Sequence, residues 1–291
     1  MLPPELMRGI ISFAVDDPSE HYEILGLSQV SRSFQQTVLD MSWLFTEADW
    51  DFWPTPLLDT WCQSAHAQPL AVSLSPLTIH SLTVGEAPEL KALLESYSQH
   101  WGTLLFKVHP QRSDKDRKYI RFVERLLQCS CPWLHTIDGR TLAHSPSTEF
   151  TTLHLRPVCL PSLQTLHLHN IRTVFSASPT SVTELAHNCS YPEHWSPLLE
   201  AVKSCRLIQR LTIDALDYYG RNSITSPAAS AEVVLPSLTL LELRGLTVNL
   251  APVISQFLSY CDIPKLESLN IWLAPWGAGG FKSLCQDLVR G

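Results

Sequence analysis

Histidine and cysteine are the residue types in this chain whose spacing could do chemistry. His154, His167 and His169 lie close together, the last two separated by one residue. On a strand that spacing puts both imidazoles on one face, pointing away from the leucine core, where they could bind a metal. Solvent-facing or partner-facing polar side chains explain them better. Cys129 and Cys131 form the one close cysteine pair. A structural zinc site wants four ligands, usually in two paired clusters. No second pair exists, so both thiols are read as repeat core and helix end. Residues 277–283, Gly-Ala-Gly-Gly-Phe-Lys-Ser, imitate a phosphate loop. Phe281 separates Gly280 from Lys282, however, where backbone donors and amine must converge. The segment is read as the start of the last helix. Residues 107–125 hold seven basic and three acidic side chains, with Ile120, Val123 and Leu127 as an apolar stripe. A solvated helix face accounts for them better than an anion site. Neither Gly-x-Ser-x-Gly nor His-Glu-x-x-His occurs. No catalytic residue, metal or cofactor is expected.

The scaffold has 291 residues, 45% of them apolar and 17% charged, with a net charge of -7. That balance fits a folded chain. It argues against a general nucleic-acid binder, which needs clustered Lys and Arg. No apolar run is long enough for a membrane span. The start Met-Leu-Pro-Pro-Glu is unlike a secretory signal. The eight cysteines are therefore expected as reduced thiols in the cytosol or nucleus.

Most of the chain repeats. Leu160-Pro161-Ser162-Leu163-Gln164-Thr165-Leu166-His167-Leu168 has counterparts at Leu235-Pro236-Ser237-Leu238-Thr239-Leu240-Leu241-Glu242-Leu243 and Ile263-Pro264-Lys265-Leu266-Glu267-Ser268-Leu269-Asn270-Ile271. Ile208/Leu211/Ile213 lacks the proline and keeps the spacing. The shared core is Leu-x-x-Leu-x-Leu, whose last three positions alternate as a short strand does. Weaker copies lie at Leu134/Ile137 and Ile79/Leu82/Val84. Another, Val182/Leu185, carries His187 where the third apolar residue belongs. Phe150/Leu153/Leu155 is too close to Leu163 for a full repeat and predicts a strand with a short return loop. Helices are expected at 122–128, 195–204 and 251–260, each followed by a cysteine: Cys129, Cys205 and Cys261. Residues 142–148 and 219–231 read as loops.

The first fifty residues differ. Pro3, Pro4 and Glu5 suit a helix start. Leu6, Ile10 and Phe13 recur on one helical face. Leu27, Val30, Phe34 and Val38 form a second face, closed by Met41, Trp43, Leu44 and Phe45. This segment holds eight acidic and two basic residues, a net -6, against 20 and 19, a net -1, in the remainder. Three short helices make a thin core, best stabilised by docking on something else.

Leu2-Pro3-Pro4-Glu5-Leu6, Ile10-Ile11, Leu27-Ser28-Gln29-Val30-Ser31-Arg32-Ser33-Phe34 and Trp43-Leu44-Phe45 together resemble an F-box. Residues from about 70 onward resemble irregular leucine-rich repeats. The expected fold is α/β: a short helical F-box over 1–50, a linker over 51–69, and a solenoid of parallel strands alternating with helices over 70–291. The resemblance implies the substrate-recognition subunit of an SCF-type cullin–RING ubiquitin ligase, doing no bond chemistry itself. It further implies that Leu2, Pro3, Ile10, Val30 and Leu44 bind the SCF adaptor, and through it a cullin. Strand alternation turns Thr165, His167, His169, Arg210, Thr212, Asp214, Glu242, Arg244, Asn270 and Trp272 away from the leucine core, toward an unidentified target protein. The alternative is a leucine-rich-repeat interaction scaffold outside any ligase.

Overall fold

Each Leu-x-Leu alternation becomes a short strand because one face must be apolar and the other need not be. A computed structural model describes residues 3–15, 21–47, 50–51, 53–65, 68–85, 87–108, 114–141, 151–188, 195–214, 233–246, 258 and 261–273. Eight strands form one parallel sheet: β1 (Leu70–Leu74), β2 (Trp101–Val108), β3 (Thr136–Thr141), β5 (Thr165–His169), β7 (Glu184–Asn188), β8 (Arg210–Asp214), β10 (Leu240–Leu246) and β12 (Ser268–Leu273). They stand side by side in chain order. A second layer holds two small parallel sheets, β4 (Thr151–Leu155) with β6 (Ile171–Phe175), and β9 (Val233–Val234) with β11 (Cys261–Asp262). The molecule is thus α/β with a parallel sheet. Among the described residues, no helix is long and apolar enough to cross a membrane.

From β3 onward the register is set just before the strands. Leu134, Leu163, Ile208, Leu238 and Leu266 each donate an N–H to the carbonyl three residues back, at 3.2–3.3 Å, closing a tight turn. The carbonyl of Gln164 then accepts two N–H groups of the next repeat, from Thr183 at 2.9 Å and Glu184 at 3.0 Å. His135, Thr183, Gln209 and Thr239 do the same for their successors. Aligned this way, Val72, Leu104, Ile137, Leu166, Leu185, Leu211 and Leu241 form one buried row across seven strands. Leu74, Phe106, Gly139, Leu168, His187, Ile213 and Leu243 form a second.

Several expectations shift. Val182/Leu185 is a full repeat, with β7 between β5 and β8. Ile79/Leu82/Val84 is helical, in α5 (Pro76–Val84). There the Ser75 hydroxyl caps the first turn, Pro76 follows it, and Gly85 ends the helix at φ 80°. The strand roles in this region fall to β1 and β2. Leu153/Leu155 is a strand as expected, β4, though it pairs with β6 in the second layer. The linker contains a helix, α4 (Thr55–Ser64), started by Pro54 and Pro56 and burying Leu58, Trp61 and Cys62. Helices α7 (Asp114–Gln128) and α8 (Trp195–Ser204) lie where helices were expected, α7 starting earlier. Residues 142–148, 219–231 and 277–283, and all but Leu258 of 251–260, lie outside the described residues.

The cysteine register also shifts. Cys131, and not Cys129, matches Cys205, since both open the turns that Leu160, Leu235 and Ile263 open elsewhere. Burial pushes both thiols up to about 12, with weaker repulsion from Cys129 and Cys159 adding to it at Cys131. Cys261 sits in β11.

The N-terminal unit has α1 (Pro4–Ala14), α2 (His21–Ser28), α3 (Arg32–Leu39) and a 3-10 turn at Ser42–Phe45. Its attachment to the sheet is made by backbone and tryptophan. Ala71 donates its N–H to the Thr46 carbonyl at 2.7 Å, and Glu47 bridges to Ala71 in parallel fashion. The Trp61 indole donates to the Glu47 carbonyl at 2.6 Å. Its ring also meets Phe45 and Trp53 edge-on, at centroid distances of 4.6 and 4.7 Å. One continuous core joins this unit to the repeats.

Two substitutions probe the second buried row. A Cβ at Gly139 would sit 2.5 Å from Phe106 Cζ and 3.0 Å from Ile171 Cδ1. Both neighbours are buried, so Gly139→Ala is expected to cost about 1–3 kcal/mol by overpacking, read as a lower denaturant midpoint. His187 is wholly buried, and desolvation lowers its imidazole to about 4, against the smaller upward pull of hydrogen bonds to backbone carbonyls. The unfolded chain therefore takes a proton below about 6.5 that the folded chain refuses until about 4, and stability falls as pH drops through that window. The loss reaches about 3 kcal/mol. His187→Leu, which restores the repeat's apolar residue, should remove this part of the acid limb in urea titrations at pH 7, 6, 5 and 4.

Candidate functional site

The strand positions that alternate with the buried rows form the sheet's polar face, in three rows. The first runs Thr103, Thr136, Thr165, Glu184, Arg210, Leu240, Ser268. The second runs Ser73, Leu105, Asp138, His167, Ala186, Thr212, Glu242, Asn270. The third runs Lys107, Arg140, His169, Asn188, Asp214, Arg244, Trp272. All ten residues read from strand alternation lie in these rows. His167, His169, Arg210, Thr212, Asp214, Glu242 and Arg244 line one open depression of about 370 Å³. Thr165, Asn270 and Trp272 stand outside it, Trp272 with 59% of its surface exposed. Thr212 is buried and donates to Glu242 Oε2 at 3.3 Å, so it supports the face from beneath.

Arg140 and Glu184 also line this depression. The sequence held the signal for both, because the alternation around Ile137 and Leu185 places Asp138, Arg140 and Glu184 on the outward side.

Charge on the face is locally paired. Arg140 donates from Nε and Nη2 to the two oxygens of Asp138, at 2.9 and 2.8 Å. The same i, i+2 geometry recurs at Glu242 and Arg244, at 2.6 Å. Glu184 Oε1 lies 3.6 Å from both His167 Nε2 and Arg210 Nη1. Burial pushes the Asp138 carboxyl up, but hydrogen bonding and charge from Arg140, helped by His169 and His167, outweigh it and hold the group below its usual 3.8. Glu242 is held down likewise, burial being outweighed by Arg244, Asn270 and Thr212. Desolvation lowers the His169 imidazole, and the Arg140 charge adds to this.

No nucleophile–base–orienter set stands out on this face, and no group of three or more His, Cys, Asp or Glu among the described residues could hold a metal. The arrangement can recognise a partner by charge and hydrogen bonding. Clamped arginines suit that task, since their rotamers are fixed before contact.

The helical unit presents a different surface. On α1, Met7 and Ile11 are buried, and Val15 just beyond the helix joins them, whereas Leu6, Ile10 and Phe13 face outward, Phe13 with 88% of its surface exposed. The stripe legible in the sequence is thus the exposed one. Val30 is also exposed, in the turn between α2 and α3. The Ser31 cap on Phe34 N–H separates it from Phe34 and Val38, so the expected continuous second face is broken there. Of the residues the resemblance assigned to the adaptor, Pro3, Ile10 and Val30 are exposed and Leu2 lies outside the described residues. Leu44 is 0% exposed and belongs to the core, so it offers no contact surface.

The chain matches no protein-family model and no curated protein.

Asp138→Asn tests the clamp. With its folded value depressed, Asp138 stabilises the fold above about pH 4, and that contribution is lost as pH falls through the folded value. The variant should lose about 1 kcal/mol at pH 7, with the gap to wild type closing in thermal melts as pH falls through that depressed folded value.

Proposed function

We propose that this protein is a substrate receptor of an SCF-type ubiquitin ligase, with an F-box at its N-terminus and a leucine-rich-repeat solenoid as its target-binding part. The carrying observation is α1, which buries one apolar stripe and leaves a second, Leu6, Ile10 and Phe13, uncovered. A helix that needs only one stripe for folding keeps a second for a partner, because exposed large apolar side chains otherwise invite aggregation. The F-box-like motif runs through this same helix. The leucine-rich-repeat reading is supported by parallel strands in chain order, of which β3, β5, β8, β10 and β12 are opened by the same turn.

In this reading α1 and the Val30 turn dock the adaptor, and the polar face of the sheet holds a target protein near a ubiquitin-loaded enzyme. Acceleration then comes from proximity, with no catalytic group supplied by the chain. A ligase of this kind works in the cytosol or nucleus. A second reading has its own support. The unit covers the outer edge of β1 through the Thr46–Ala71 hydrogen bond, which is what a purely structural cap does.

Retention of purified adaptor by the tagged full-length chain separates the two. The wild type is expected to retain it. Ile10→Asp with Phe13→Asp should weaken retention by roughly 100-fold or more, at the level of two interface hot spots, with an unchanged melting temperature. Leu44→Asp should instead unfold the helical unit. Failure of the wild type to retain adaptor, or equal retention by the double variant, would leave the structural cap as the function of the unit.

A further inference from the structure

The polar face is itself polarised. On β1 to β5 the described outward charges are Lys107, Arg140 and Asp138, with His167 and His169 beside them. On β7 to β12 they are Glu184, Asp214 and Glu242 against Arg210 and Arg244. The first half thus carries two cations to one carboxylate, and the second two cations to three carboxylates.

Lys107, Arg140 and His169 are successive register partners on β2, β3 and β5. Neighbouring strands lie about 4.8 Å apart, so the three span roughly 10 Å. Lys107 has no ion-pair partner among the described residues. Arg140 spends Nε and one Nη2 hydrogen on Asp138, and its Nη1 has no hydrogen-bond partner among them. Asp138 is enclosed, its side chain 9% exposed, whereas that of Arg140 is 52% exposed. The clamp thus hides the carboxylate and shows the cation. Beside it opens a depression of about 210 Å³ lined by Ser73, Leu105, Phe106, Lys107, Asp138 and Arg140. Leu105 contributes an exposed apolar wall.

We propose that this depression anchors an acidic protein segment, a carboxylate side chain resting on Lys107 and Arg140 and a neighbouring apolar side chain on Leu105. The inference deepens the target-binding reading of the sheet by naming the chemistry recognised. A nucleic acid fits less well: its phosphates need a long cationic track, and Glu184, Asp214 and Glu242 interrupt one. The face also carries an apolar subsite, which a phosphate backbone would leave unused.

The test uses the full-length protein alone, at low ionic strength and pH 7, with three fluorescein-labelled probes read by anisotropy. These are the peptide Gly-Glu-Leu-Glu-Gly, its Gln-for-Glu isostere, and a ten-nucleotide oligothymidylate. The acidic peptide should bind, with the isostere about tenfold weaker. Lys107→Glu, a surface change checked by circular dichroism, should weaken the acidic peptide about tenfold. Arg244→Glu, in the other half, should change it less than twofold. Equal binding of the isostere, indifference to Lys107→Glu, or tighter Lys107-dependent binding of the oligonucleotide overturns the proposal. Because no adaptor is present, a chain that binds the acidic peptide yet fails to retain adaptor defeats only the ligase reading.

Discussion

One backbone carbonyl at the mouth of β3, β5, β7, β8 and β10, accepting two N–H groups from the next repeat, is the constraint on which the sheet depends. It fixes how far each strand advances past its neighbour before any side chain is consulted. A slip of one residue would exchange the leucine rows for the polar rows on every strand. With the carbonyl pinned, the segment between strands can vary widely: 19 residues separate Thr165 from Glu184, and 30 separate Arg210 from Leu240. The chain is ragged in its connections and regular in its ladder because only the ladder is constrained.

That division explains what could be read beforehand. Repeats with Leu-Pro-Ser-Leu or Ile-Pro-Lys-Leu announce both turn and strand, so β5, β10 and β12 were legible. β7 was legible despite its odd third residue, since Val182 and Leu185 keep the apolar spacing and are both buried. His187 then occupies a position that costs stability at acid pH and leaves the ladder intact. β1 and β2 were not legible as repeats. Their turns lack the leucine pair, and Ile79/Leu82/Val84 fits a helix as well as a strand until Ser75, Pro76 and Gly85 are weighed. The polar face followed from alternation alone, and Asp138, Arg140 and Glu184 were within reach of the same rule.

The helical unit shows where pattern reading stops. Two apolar stripes run along α1, and hydrophobic spacing cannot say which one turns inward. The choice is tertiary: Met7 and Ile11 point into the shared core, and Leu6, Ile10 and Phe13 are left over. Leu44 shows the reverse error, because a motif position that suggests contact is occupied by a side chain the core has already claimed.

Covering a sheet edge and offering a docking stripe do not compete within this unit, because they use different atoms. The edge is closed by the backbone of Thr46 and Glu47 and by the Trp61 indole. The outward stripe is made by side chains of α1, whose removal costs the fold little since they bury little. A charge placed on Ile10 or Phe13 therefore tests the proposed docking without loosening the cap, whereas a change at Trp61 or Leu44 disturbs the core as well. The same separation holds on the sheet. The leucine rows carry stability, and the charge pairs above them hold arginine rotamers in place, so specificity can change along the polar face while the ladder beneath stays fixed.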